Sequence, residues 1–246
     1  MDFRVIGPGR AGSSLREALV ERGWTCLGVL GRDDDPAPTA RGVDLVILAV
    51  PDDAIGAVAR AIEPGPAVIV HLSGAETLEV LAPHERRASV HPLVSLPDAD
   101  VGARRLLGGA AFAVAGDEAA RAIVAALNGT AFEVPDDRRA VYHAAAAVAA
   151  NHLVALCGQV ERLAAAAGVP AAAYWELMAL TLDNVRAAGA AAALTGPAAR
   201  GDLATVAAHL AAVDPAEHRL YLALADAAAH LASRPPPSST LGRKHP

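Results

Sequence analysis

The stretch VIGPGRAGSSL, Val5 to Leu15, constrains this chain more than any other. It sets Gly7-x-Gly9-x-x-Gly12 directly after a short β-branched run, FRVI, and at the start of a helical pattern, SSLREALVERG, that stops at Gly23. Each glycine has its own task in such a motif. Gly7 permits the tight turn, Gly9 lets a phosphate approach the backbone, and Gly12 lets helix and strand pack closely. The N-terminus of the helix attracts the negative charge. A bare glycine triplet is a weak signal, but strand, turn and helix agree here, and a second strand, TCLGVL (25–30), follows. The expectation is a dinucleotide cradle built by Gly7, Gly9, Arg10, Ala11 and Gly12.

The rest of the first half alternates strands and helices. DLVILAV (44–50) and AVIVHLS (67–73) are apolar runs of the kind buried on both faces of a parallel sheet. AIGAVARAIE (54–63) and DEAARAIVAALN (117–128) carry helical spacing, and ASVHPL, AAFAVAG and TAFEVP complete the predicted strands. This alternation implies an α/β doubly wound sheet of Rossmann type. After Pro135 strand signals stop and helical periodicity runs to about Ser233. The expected organisation is a nucleotide-binding domain over 1–135, an all-helical domain over 136–233, and a tail over 234–246 whose composition, RPPPSSTLGRKHP, predicts disorder.

Composition narrows the function classes. A net charge of −6, from 21 basic and 27 acidic residues, argues against nucleic acid and anionic membrane as partners. Cys26 and Cys157 lack metal-type spacing and fall in apolar segments, so they are expected as reduced core residues of a cytoplasmic protein. The first strand begins at Phe3, where a signal peptide would otherwise stand. The long apolar stretches are alanine-dominated and carry charges, and no membrane span is expected of them.

Cofactor choice turns on VLGRDDD, where the second strand ends. An NAD site places an acid about 20 residues after the motif, whereas an arginine there suits the 2′-phosphate of NADP. Arg32 comes first, ahead of Asp33, and Arg10 stands within the loop, so NADP is the expected cofactor. The competing view is that Arg32 only balances three aspartates on a solvated loop. Val50 and Pro51 end another strand on the ligand-bearing edge and are expected beneath the cofactor. Ser73, in HLSGA, is expected near the nicotinamide or the substrate, and His91 closes a further strand on the same edge.

In YHAAAAVAANH the residues His143, Ala147 and Asn151 are spaced i, i+4, i+8, drifting by about 80° and spanning about 12 Å along an α-helix. His143 and Asn151 could bracket a small substrate. In ALTGPAARGD, the Thr195-Gly196-Pro197 break ends one helix and Asp202 caps the next. Capping does not account for Thr195 or Arg200, which together read as a clamp for a substrate anion. His209, seven residues further, reads as core-facing.

The motifs HLSGAETLEVL, SVHPLVSL, YHAAAAVAANHLVAL and ALTGPAARGDLATVAAHL resemble a family of Rossmann-like proteins with a helical C-terminal domain of unknown function. That family is similar to the superfamily of 6-phosphogluconate dehydrogenase, β-hydroxyacid dehydrogenases, ketopantoate reductase and pyrroline-5-carboxylate reductase. The resemblance implies a 6-phosphogluconate-dehydrogenase-like helical domain, a homodimer, and NADPH-dependent reduction of a small keto acid, with ketopantoate first. The better-known members carry Lys-x-x-x-Asn, with the lysine as proton donor. Asn151 matches the asparagine, but Ala147 fills the lysine position. The proton then falls to His143 or His91, with Asn151 polarising the substrate oxygen or orienting the nicotinamide amide. Imine reduction and a non-catalytic NADP sensor remain alternatives.

Overall fold

The computed structural model describes residues 1–233. The tail expected to be disordered, 234–246, lies outside the described residues. The chain divides into two compact units, 1–152 and a second from Leu153 onward.

Seven strands form the sheet of the first unit: Asp2–Ile6 (β1), Thr25–Leu30 (β2), Leu45–Leu48 (β3), Val68–His71 (β4), Arg87–Pro92 (β5), Ala111–Gly116 (β6) and Thr130–Glu133 (β7). Their order is β2-β1-β3-β4-β5-β6-β7. The first five are parallel neighbours, β6 runs antiparallel to β5, and β7 is parallel to β6. The sequence implied strands and helices in alternation but not this reversal. Hairpin-like return and crossover leave the same apolar pattern in a strand buried on both faces.

Period-two alternation sends successive side chains to opposite faces. Phe3, Val5, Leu45, Ile47, Val68 and Val70 lie in one core. Ile6, Val46, Leu48 and Ile69 lie in the other. Helices Arg10–Glu21 (α1), Ala99–Leu107 (α3) and Ala119–Ala126 (α4) contribute to the first core, and Asp52–Ala61 (α2) to the second. Helix α3 is absent from the sequence reading, which left that segment unassigned. Its apolar signal is short and interrupted by Gly102, yet the structure needs that glycine. A Cβ there would lie 2.0 Å from the Ser14 hydroxyl on α1.

The change of character at 135 is real in secondary structure, but the compact units part after His152. Helix Arg139–Ala147 (α5) belongs with the sheet because Arg139 donates from Nη1 to the Ser89 hydroxyl of β5, 3.3 Å away. After α5 the backbone passes through a π-helical segment, Val148–His152, before α6, Leu153–Ala166. A π turn holds more residues than an α turn. The α-helical projection of His143 onto Asn151 therefore does not hold, and Asn151 is rotated from its expected phase.

The second unit comprises α6, Ala172–Ala188 (α7), Ala190–Ala193 (α8), Leu203–Ala212 (α9) and Pro215–Ser233 (α10). Gly189, at φ +83°, separates α7 from α8. Glu217 of α10 ties to α6 by accepting from the Arg162 guanidinium, and its backbone oxygen accepts from Gln159 Nε2 at 3.1 Å. The unit leaves large apolar side chains in the open: Leu203 is 77% exposed and Leu177 60%. The helical run Asp136–Ala166, with mean hydropathy 1.4 over an 18-residue window, is long and apolar enough to cross a membrane by length and composition. Uncharged alanine and valine dominate it between Arg139 and Glu161. The cysteines are half-buried rather than core residues.

Candidate active site

The glycine loop has the predicted geometry. Gly7 follows β1 at φ +106°, and its N–H donates to Leu30 O at 2.9 Å. A Cβ at Gly7 would lie 2.3 Å from the Ala49 carbonyl oxygen, and one at Gly12 would lie 2.1 Å from the Gly7 oxygen. Gly9 differs, because nothing lies within 4 Å of a Cβ placed there. It precedes α1 with no side-chain cap, and the first turn carries no acid. The amides of Arg10, Ala11 and Gly12 have no acceptor within the helix. Open space, free donors and the positive end of a helix dipole meet at one point, which fits a pyrophosphate.

Val50 leans over this turn, its Cγ1 lying 3.3 Å from the same hypothetical Gly7 Cβ, and exposed Pro51 follows. At the end of β2 two of the three aspartates are occupied by the loop itself. Asp34 Oδ2 accepts from the Gly31 N–H at 2.7 Å, and Asp35 Oδ1 from the Ala37 N–H at 3.0 Å. Arg32 is exposed and forms no ion pair with them among the described residues. Arg10 is also exposed. The view of Arg32 as a mere counter-charge finds no contact to support it.

Further along the same strand edge lies a polar cluster. Ser73 is 6% exposed and its hydroxyl is fully engaged. It donates to Asp52 Oδ2 at 2.8 Å and accepts from the N–H groups of Ala75 and Glu76 at 3.1 Å each. Ser73 therefore shapes the turn rather than offering a free hydroxyl. That turn brings Gly74 beneath His91, where a Cβ would lie 2.9–3.0 Å from three atoms of the imidazole ring. His91 Nδ1 and the Tyr142 hydroxyl are 2.6 Å apart. The His143 ring stands edge-on to His91 at a centroid distance of 6.1 Å. Helix α5 thus delivers Tyr142 and His143 to the end of β5.

Behind them sit His71 and Arg139, 0% and 1% exposed. His71 Nδ1 accepts from the Ser73 N–H at 3.2 Å, and Arg139 Nε donates to Asp136 Oδ1 at 3.2 Å. Arg139 Nη2 has no partner, and His71 Nε2 makes no well-formed hydrogen bond although the Thr77 backbone is beside it. Burial, reinforced by the Arg139 guanidinium, lowers the His71 pKa from 6.5 to about 4. Burial, followed by the charge of His143, lowers His91 likewise to about 4. Both rings are neutral at pH 7.

Residues 110–228 match the family model described as Domain of unknown function (DUF2520). The match runs from just before β6 into α10. No curated protein matches the chain. Three solved structures are similar in fold. BF3122 of Bacteroides fragilis, provisionally designated an NADP oxidoreductase, is 21% identical with a TM-score of 0.78, covering 93% of this chain and 98% of that one. Protein TM1727 of Thermotoga maritima is 24% identical with a TM-score of 0.71, at coverages of 94% and 98%. The pyrroline carboxylate reductase of Plasmodium falciparum, solved with NADP bound, is 13% identical with a TM-score of 0.63, at coverages of 94% and 97%. The chain therefore has the Rossmann-type fold with its helical extension, as the sequence implied.

Within the second unit, Thr195 and Arg200 are exposed on one loop whose Gly196 and Gly201 take φ +110° and +68°. Asp202 caps α9 as expected, accepting from the Thr205 N–H at 3.0 Å and its hydroxyl at 2.7 Å. Those bonds hold its carboxyl below the ordinary range. The N-terminus of α9 is thus served by its own carboxylate. His209 is exposed, with Nδ1 2.6 Å from the Tyr221 hydroxyl, which corrects its expected core-facing placement. Asn151 is exposed in the π segment.

Sequence reasoning missed Tyr142, Arg139 and His71. One signal was available. Arg139, Tyr142 and His143 are the only residues with polar side chains on α5, spaced i, i+3 and i+4, which places them on one helix face.

Proposed function

We propose that this chain is an NADPH-dependent reductase of a C=O or C=N bond in a small organic acid. The observation that carries the reading is that one edge of the sheet bears both the open, unoccupied-donor glycine loop and the His91–Tyr142–His143 group. In α/β sheets of this kind ligands bind at the carboxyl ends of the strands. The Rossmann-type relatives described as NADP oxidoreductase and as pyrroline carboxylate reductase support it.

Bound NADPH would supply the hydride. The first-turn amides of α1 hold the pyrophosphate, Arg32 with Arg10 holds the 2′-phosphate, and Val50 and Pro51 line the approach. His91 Nε2 makes no protein hydrogen bond among the described residues and is not sealed from solvent, so it can serve the reacting oxygen or nitrogen. Developing charge there needs a positioned donor. His143 supplies the proton and Asn151 polarises the substrate. Ketopantoate is the first substrate to try.

Imine reduction is the second reading, and a specific observation favours it. A His91 that is neutral at pH 7 donates a hydrogen bond but is a poor proton source. An iminium arrives already protonated, so its reduction asks no proton of His91 or His143. The exposed leucines of α7, α9 and α10 further support a homodimer in which they are covered. Sedimentation at micromolar concentration reads this directly.

The test is oxidation of NADPH and of NADH by the purified chain against ketopantoate, other 2-oxo acids and cyclic imines. Turnover with preference for NADPH is expected. In Arg32→Ala that preference should fall by roughly 10- to 100-fold, the loss of one charge-assisted contact of about 1.5–3 kcal/mol. Tight NADPH binding with no turnover of any carbonyl or imine would leave a coenzyme-binding sensor instead.

A further inference from the structure

Resting on that functional reading, we propose that Tyr142 is a positioning residue that fixes the tautomer of His91, leaving Nε2–H as the donor presented to the reacting atom. A neutral imidazole carries one proton on either ring nitrogen, and the hydrogen bond at one nitrogen decides which. Here that bond joins the Tyr142 hydroxyl to Nδ1 at 2.6 Å. The two rings stand perpendicular, 89° apart with centroids at 5.5 Å, and Phe132 backs Tyr142 at 5.9 Å.

If Nδ1 held the proton, the Tyr142 oxygen would accept it and its own O–H would need another acceptor. Among the described residues Tyr142 makes no second side-chain hydrogen bond. Burial raises the Tyr142 pKa above its ordinary value, so the phenol keeps its proton and can donate it. Nδ1 is the acceptor at hand. The imidazole packs directly on Gly74, where a Cβ would lie 2.9–3.0 Å from three of its ring atoms. Besides Tyr142, the charged and titratable groups facing His91 are Asp52 of α2, His71 of β4, and Arg139 and His143 of α5. None of them hydrogen-bonds either ring nitrogen, which leaves tautomer selection to Tyr142.

The experiment is long-range ¹H–¹⁵N NMR of the histidine rings in the full chain at neutral pH, with His91 assigned by its loss in His91→Gln. Wild type should show His91 protonated at Nε2 and accepting at Nδ1. Tyr142→Phe should give a mixture of tautomers, with kcat down in proportion to the rings that lose Nε2–H, about twofold for an even mixture. KM and the NADPH Kd should stay unchanged. A wild-type His91 protonated at Nδ1, or a Tyr142→Phe protein with an unaltered tautomer, overturns the assignment. The expected tautomer shift in a chain that reduces no carbonyl or imine contradicts the functional reading alone. Turnover with an unaltered tautomer contradicts the Tyr142 assignment alone.

Discussion

Substituting alanine for Gly12 should abolish NADPH binding and lower the thermal midpoint, whereas Gly9→Ala should weaken binding and leave the midpoint unchanged. The two glycines belong to one motif but face different neighbours. A Cβ at Gly12 meets the Gly7 carbonyl oxygen at 2.1 Å and Ala49 Cβ at 2.9 Å. Backbone cannot rotate away as a side chain can, so α1 must move off the sheet. Overpacking of this kind costs about 1–3 kcal/mol. The displaced helix end also loses its aim on the pyrophosphate, for which a weakening of at least about 100-fold, near 2.7 kcal/mol, is expected. A Cβ at Gly9 meets nothing within 4 Å, so the folded chain tolerates it. Its methyl would fill the space into which the phosphate must come. Calorimetric titration with NADPH and thermal unfolding of the ligand-free proteins check both halves. Gly9→Ala binding NADPH as tightly as wild type would show that the pyrophosphate lies elsewhere.

The second large effect is acid sensitivity at a mild pH. His71 and His91 have folded pKa values of about 4 against 6.5 for an unhindered histidine. Between those limits the unfolded chain takes up protons that the folded chain refuses, and stability falls as pH drops. Above pH 6.5 the two rings contribute nothing to the pH dependence, and below about 4 the loss is complete. The difference corresponds to on the order of 3 kcal/mol for each ring. Domains are commonly stable by about 5–15 kcal/mol in total, so the two together remove a large share. Denaturant unfolding at intervals from pH 7.5 to 4.5 should show this slope. His71→Asn should reduce it by about half, leaving the His91 share, because the amide oxygen can take the Ser73 N–H that Nδ1 now accepts. A wild-type protein equally stable across that window would refute the buried neutral state of both rings.

Much of the fold was legible because local rules and global packing agreed. Gly7, Gly9 and Gly12 carried three different tasks in their spacing, and in the structure Gly7 and Gly12 are pressed against backbone while nothing lies within 4 Å of a Cβ at Gly9. The buried strands LVIL and VIVH announced themselves as unbroken apolar runs. Where the signal was local and weak it failed. Helix α3 has one glycine and two arginines in nine residues, and only its contact with α1 makes it worth forming. The candidate site was legible only in part. His91 and His143 stood out as titratable groups in apolar segments, while Tyr142 and Arg139 looked like ordinary members of a helix. Ser73 stood in the right turn with its hydroxyl engaged elsewhere.

The sequence by itself determined the sheet-and-helix alternation, the glycine loop, the arginine after the second strand and the change to helices at 135, since each is encoded in residues close together along the chain. Only the tertiary structure decided that β6 reverses direction, that α5 stays with the sheet, and that Tyr142 meets His91 across 51 positions of sequence. Contacts of that kind depend on which segments pack side by side, and no local periodicity records it.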